Sequence, residues 1–146
     1  MNPTKFDEDF VKKLIKQKEG KSLDFKNKIT SKEKIAKTLV AFANTMGGYL
    51  LIGVSDKKQL RGIDPEEEKY MIDAANQDYC IPQVNLSHHE VKLANPDFPE
   101  NSEEEEIYLL LVRIEPHPYP PVMYKNMNGE NLTYIRQGDR TVVLRN

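Results

Sequence analysis

Residues 39–56 read LVAFANTMGGYLLIGVSD, and this stretch restricts the fold more than any other. Ile35, Leu39, Phe42 and Ala43 recur at helical spacing and share one face. Asn44-Thr45-Met46-Gly47-Gly48 must end that helix, because paired glycines supply the positive φ of a helix exit. Residues 49–54 are continuously apolar apart from Gly53, which suits a buried strand and is too short for a membrane span. Asp56 stands where the strand runs out. Helix, glycine turn, buried strand and acidic end form one unit, with a ligand expected at the strand end.

The rest of the chain has to complete a core around that unit. At 146 residues it is one ordinary domain, 1–146, and 38% hydrophobic against 30% charged content marks it as globular. No basic leader precedes an apolar core, and no apolar run nears the ~20 residues of a transmembrane helix, so neither secretion nor a membrane is expected. The lone cysteine, Cys80, can build neither an internal disulfide nor a cysteine-based zinc site, which fits a reducing cytoplasm. The net charge of −2 excludes a generic polycation, but the charge is uneven. Residues 1–40 hold 11 Lys/Arg against 6 Asp/Glu, and the remainder 10 against 17. The basic half can face phosphates while the acidic half faces solvent, although lysines that merely solvate helix faces give the same bias.

Taken in order, residues 6–18 form an amphipathic helix with Phe10, Val11, Leu14 and Ile15 on the apolar stripe and Gly20 as its stop. Residues 22–26 alternate as a half-buried strand, with Leu23 and Phe25 inward and Ser22, Asp24 and Lys26 on a polar face. Thr30 and Glu33 fit a capping box that opens a helix over about 31–44. After the central strand, residues 60–63 suit a short antiparallel partner, and Pro65 with Glu66, Glu67 and Glu68 opens a third helix that buries Met71, Ile72 and Ala75. Strands are expected at 84–93 and 107–114, with a mobile loop over 94–106 between them. Pro116, Pro118, Pro120 and Pro121 impose an extended segment, and Asn128-Gly129 signals a hairpin joining 122–125 to 132–136, with 141–144 as a last strand. The pattern gives an α+β class with a mixed sheet covered by helices. The apparent final strand lies so near the end that the chain is expected to be a piece of a longer protein.

Three carboxylates draw attention as catalytic or metal-binding candidates: Glu19 before the first strand, Asp24 on its polar face, and Asp56 at the end of the neighbouring strand. Converging carboxylates repel, and a hard cation such as Mg²⁺ or Mn²⁺ would relieve them and activate water on a phosphodiester. Acidic residues at strand ends are also simply common, and spacing alone leaves this site behind that reading. Gly20-Lys21-Ser22 lacks the first glycine of a P-loop, and Gly47-Gly48 lacks the third glycine of a dinucleotide fingerprint. His88 and His89 are neighbours in a strand and point to opposite faces, so they cannot chelate one metal. Lys21, Lys26, Lys28, Lys32, Lys34 and Lys37 are candidate phosphate contacts, and Arg136 and Arg140 flank a glycine turn that would clamp a phosphate. Tyr49, Tyr119, Tyr124 and Tyr134 would stack on bases if they lined one surface, and otherwise pack with a wet hydroxyl.

Four segments together resemble the Schlafen AlbA-type domain: EGKSLDFK at 19–26, AFANTMGGYLLIGVSD at 41–56, Arg61-Gly62-Ile63, and YIRQGDRT at 134–141. The resemblance covers about 19–144, and the order and spacing of the motifs make it specific. It implies an AlbA-like two-layer fold, with 6–18 as an added helix, and nucleic-acid binding. Nuclease members carry an acid, four residues, a second acid before Phe-Lys, and a third acid after the Ile-Gly-Val strand. Glu19, Asp24 and Asp56 match those positions, which implies a divalent-metal site that cleaves tRNA or rRNA. Asp24 stands where those members usually have Glu, and this chain has neither the second lobe nor the zinc cysteines of nuclease Schlafens. Other bacterial members are described as DNA-binding or ATP-binding. The expected functions are therefore, in order, a regulatory or targeting module that binds DNA or RNA, a metal-dependent endoribonuclease, and an ATP-binding or protein-interaction module. A homodimer through an exposed sheet edge is a reasonable expectation.

Overall fold

The computed structural model describes residues 6–95, 106–117, 119 and 121–144. Asp7 caps helix α1 (Glu8–Ile15) by accepting from the Phe10 N–H at 3.0 Å. This helix ends well before Gly20, the expected stop. The chain turns at Lys16 and Gln17, and Gly20 instead pairs with Leu23 to start strand β1 (Leu23–Lys26). Helix α2 (Lys32–Ala43) is capped by Ser31, whose Oγ accepts from the Lys34 N–H at 3.2 Å. The expected Thr30–Glu33 box is displaced by one residue, and Glu33 accepts from the Tyr79 hydroxyl at 2.9 Å.

Strand β2 (Gly48–Ile52) is the centre of the molecule. It runs parallel to β1, with Leu23 opposite Tyr49 and Lys26 opposite Ile52. Residues 53–63 fold back on it, with a single bridge between Val54 and Leu60 where a short strand is expected. The reason is that the Ile63 N–H donates instead to the Tyr108 carbonyl, so this segment leaves β2 for the neighbouring strand. Helix α3 (Pro65–Tyr79), capped by Asp64, is followed by β3 (Cys80–Ile81) and β4 (Leu86–Ala94). Strand β5 (Glu106–Ile114) pairs antiparallel with both β2 and β4, giving the order β1-β2-β5-β4. The mixed sheet and α+β class expected from the sequence are present. Most of the expected 94–106 loop, with Pro118 and Pro120, lies outside the described residues.

Both faces of this sheet are apolar, because β2 and β5 alternate Leu, Ile and Val on either side. Leu50, Ile52, Leu110 and Val112 pack with α2 and α3, whereas Leu51, Leu109, Leu111 and Val91 pack with Val11 and Leu14 of α1. Helix α1 thus adds a third layer to the expected two. Leu50, Leu51 and Ile52 are fully buried, worth about 2 kcal/mol each.

The C-terminal part forms β6 (Met123–Lys125), β7 (Asn131–Leu132), β8 (Tyr134–Gln137) and β9 (Arg140–Val143). The turn at Asn128-Gly129 joins β6 and β7, and the expected strand 132–136 breaks at Thr133, after which β8 pairs with β9. Among the described residues, no helix is long and apolar enough to cross a membrane.

Candidate functional site

The tight Gly20–Leu23 turn carries Glu19 back beside β1, where its Oε2 accepts from the Phe25 N–H at 2.9 Å. Asp24 is buried rather than on a wet face, because the C-terminal hairpin covers that side of β1. Its Oδ2 lies 3.2 Å from Lys26 Nζ and its Oδ1 3.6 Å from Arg136 Nη2. Oδ2 is enclosed and close to the ammonium, yet it has no hydrogen bond of good alignment. Glu19 and Asp24 are brought together. Burial pushes the Glu19 carboxyl up from its ordinary value, the hydrogen bond it shares with Asp24 pushes the same way, and the Phe25 N–H and Lys26 oppose them.

Asp56 is exposed, in the turn after β2 where the Ser55 N–H donates to the Gln59 carbonyl. From the same turn Lys58 reaches the α1–β1 segment: its Nζ donates to the Gln17 carbonyl at 2.8 Å and lies 5.8 Å from the Phe25 ring centroid. Among the described residues, no three His, Cys, Asp or Glu stand close enough to hold a metal ion. Glu19 and Asp24 are answered by an N–H and two cations, so these residues do not fit the three-carboxylate Mg²⁺ or Mn²⁺ centre expected from Glu19, Asp24 and Asp56.

Arg136, expected to clamp a phosphate, points inward and is 4% exposed. Its Nε and Nη2 donate to the Gly20 carbonyl at 3.2 and 2.8 Å, and its Nη1 donates to Thr141 Oγ1 at 3.1 Å. Its guanidinium stacks 4.7 Å from the Phe42 ring centroid. Burial turns this fork toward the protein's own acceptors, while Arg140, on the same hairpin, is exposed.

The FANT segment at the end of α2 belongs to the same construction. Asn44 Nδ2 donates to the carbonyls of Val122 and Tyr134, and its Oδ1 accepts from the Val122 N–H. Thr45 Oγ1 donates to the Ala41 carbonyl and accepts from the Arg136 N–H. These residues tie the C-terminal strands to the sheet. Sequence reasoning treated them as a helix end, and only the signature itself signalled their larger part.

The lysines are arranged differently. Lys26, Lys28 and Lys34 line one cavity of about 150 Å³ between the end of β1 and the start of α2, with Thr30, Ser31 and Thr38 among its other walls. Lys26, Lys28 and Lys34 are three of the expected phosphate contacts. Lys21 is exposed, and Lys32 is half-buried with its Nζ 5.4 Å from the Tyr70 ring centroid. The four expected stacking tyrosines do not share a surface: Tyr49 packs with Phe6 and Phe10, and Tyr124 is buried between Tyr79 and Tyr134, while Tyr119 is exposed.

Among solved structures the chain is similar to the DIP2311 protein from Corynebacterium diphtheriae, with 14% identity and a TM-score of 0.49. That match covers 85% of this chain and 22% of the other, so this chain spans about a fifth of its length. The family model described as Schlafen, AlbA_2 matches residues 19–145, which takes in β1, the glycine turn, the central strands and the C-terminal hairpin. The chain belongs to the Schlafen AlbA_2 family.

Proposed function

We propose that this chain is a nucleic-acid-binding domain that serves as a regulatory or targeting module. The observation that carries the reading is the convergence of Lys26, Lys28 and Lys34 on one cavity in a molecule whose net charge is −2. Lysines that line one cavity can bind phosphate by releasing counterions. Lys21 and Arg140 are exposed and Lys32 is half-buried, and the proposal includes them as further phosphate contacts. Family membership supports the same reading.

Binding of a labelled oligonucleotide should weaken steeply with salt, with a log–log slope of about −0.7 to −0.9 for each phosphate contacted. A Lys28→Glu/Lys34→Glu variant should bind about tenfold or more weakly with a shallower slope. Binding that ignores salt, or no binding at low salt, would remove the proposal.

The ribonuclease reading requires Asp56 to join Glu19 and Asp24, and it is the weaker one on this arrangement. Incubating the chain with labelled tRNA in Mn²⁺ and in EDTA separates the two. Cleavage that needs Mn²⁺ and is lost in a Glu19→Gln/Asp56→Asn variant would make the chain an enzyme. Retention without cleavage would leave a binding module.

A further inference from the structure

The lysine-lined cavity does not stand alone. A second cavity of about 480 Å³ shares Lys28 and Ile29 with it, and its other walls are Glu66, Glu67, Glu68, Tyr70 and Met71 of α3. Lys28 and Ile29 are therefore a partition between a basic compartment and a largely apolar one. The partition is held in place: buried Glu68 accepts from the Ile29 N–H at 2.8 Å, tying the β1–α2 loop to α3. Tyr70 stands at the apolar compartment with 65% of its surface exposed. Exposed aromatic surface beside a lysine-lined cavity matches a nucleotide, which offers a flat apolar base and an anionic phosphate.

We propose that the paired cavities hold one unpaired nucleotide, with its base against Tyr70, Ile29 and Met71 and its phosphate among Lys26, Lys28 and Lys34. The orientation follows from charge. Glu66 and Glu67 border only the apolar compartment and repel a phosphate there, whereas three lysines border the other. Lys26 shares its charge with Asp24 at 3.2 Å, which leaves Lys28 and Lys34 as the stronger phosphate contacts. Lys32, whose Nζ lies 5.4 Å from the Tyr70 ring centroid, adds a cation at the base end. A base must leave its stack to present a face to Tyr70, so the site selects single strands over duplexes. A free nucleotide carries the same chemistry, and the test separates the two sources. This inference rests on the nucleic-acid reading above.

The experiment measures fluorescence anisotropy of a short labelled single strand and of its duplex, at low salt, with the whole chain. Tyr70→Ala should weaken the single strand by roughly tenfold or more and leave the duplex unchanged, and Tyr70→Phe should retain binding. Because Tyr70 is exposed, thermal melting should match wild type and exclude misfolding. Equal single-strand affinity of Tyr70→Ala and wild type overturns the proposal, and if Lys28→Glu/Lys34→Glu still weakens both forms, the broader interface stands without it. If wild type binds neither form, AMP decides. Thermal stabilisation by AMP that is lost in Tyr70→Ala keeps the slot as a free-nucleotide site and removes the nucleic-acid reading. No stabilisation by AMP overturns both.

Discussion

Arg136 shows how a single side chain can be spent on architecture. Its buried fork spans the Gly20 carbonyl, Thr141 Oγ1 and the Asp24 carboxylate. Replacing it with alanine leaves Asp24 enclosed with one cation fewer, and removing one member of a buried pair costs roughly 3 to 5 kcal/mol. Chemical denaturation of Arg136→Ala should show a loss of that size. Arg136→Lys should recover only part, because one ammonium cannot reach both oxygens that the fork spans. Glu19 responds to pH with a definite sign. Its folded carboxyl holds a proton more tightly than the unfolded one, whose ordinary value is 4.5. The stabilisation is therefore complete below that value and is lost as the pH climbs through the raised folded value. Glu19→Gln keeps an acceptor for the Phe25 N–H and carries no titration, so the stability of wild type relative to the variant should fall over that interval. A difference that stays flat with pH would mean that the Glu19 carboxyl is not raised in the folded chain.

At the scale of elements, the junction between α2 and β2 decides how the sheet is assembled. Gly48 has a φ of +145°, and an added Cβ would stand 2.3 Å from the Ser22 carbonyl oxygen. That carbonyl accepts from the Tyr49 N–H at 2.8 Å and begins the parallel pairing of β1 with β2. Gly48→Ala should cost roughly 3 kcal/mol or more, because backbone must move to admit the methyl. Gly129 offers the contrast, since it has a φ of +80° but no atom within 4 Å of an added Cβ. Gly129→Ala should cost about 1 to 2 kcal/mol, from conformational strain alone. Denaturation midpoints of the two variants check the ranking. If the two variants lose equally, close approach is not what Gly48 provides.

At the scale of the whole molecule, Cys80 reports on the layer formed by α2, α3 and β6. Burial pushes its thiol up to about 12, and its Sγ lies 3.9 Å from the Ala36 carbonyl. The native thiol is therefore protonated and enclosed near neutral pH. A thiol reagent should label it only through opening of this layer, and the labelling rate should rise with denaturant in step with global unfolding. Rapid labelling in native buffer would mean that the layer opens separately from the rest.

The order of elements was legible in the sequence because periodicity and end signals are local. The apolar stripe of residues 35–43, the paired glycines and the run after them specify helix, turn and buried strand without reference to the rest of the chain. The family was legible for a related reason, since its motifs, such as FANT and YIRQGDRT, are contiguous strings. What those strings do was not legible. Asn44 bonds to Val122 and Tyr134, and Arg136 bonds to Gly20, across distances in sequence that no local rule spans. The candidate site divides in the same way. Glu19 and Asp24 are close in the chain and meet, whereas Asp56 lies on a separate turn, and the structure does not gather it with them into a metal-holding cluster. The compartment beside Tyr70 is bordered by the β1–α2 loop, which Glu68 ties to α3 from 39 residues away in the chain. The sequence by itself determined the order and kind of the main helices and strands, since that depends on backbone preference and the spacing of apolar side chains, whereas their ends and the short 60–63 pairing depended on distant partners. Tertiary structure alone decided which charges face water, because burial depends on what distant segments bring to cover them.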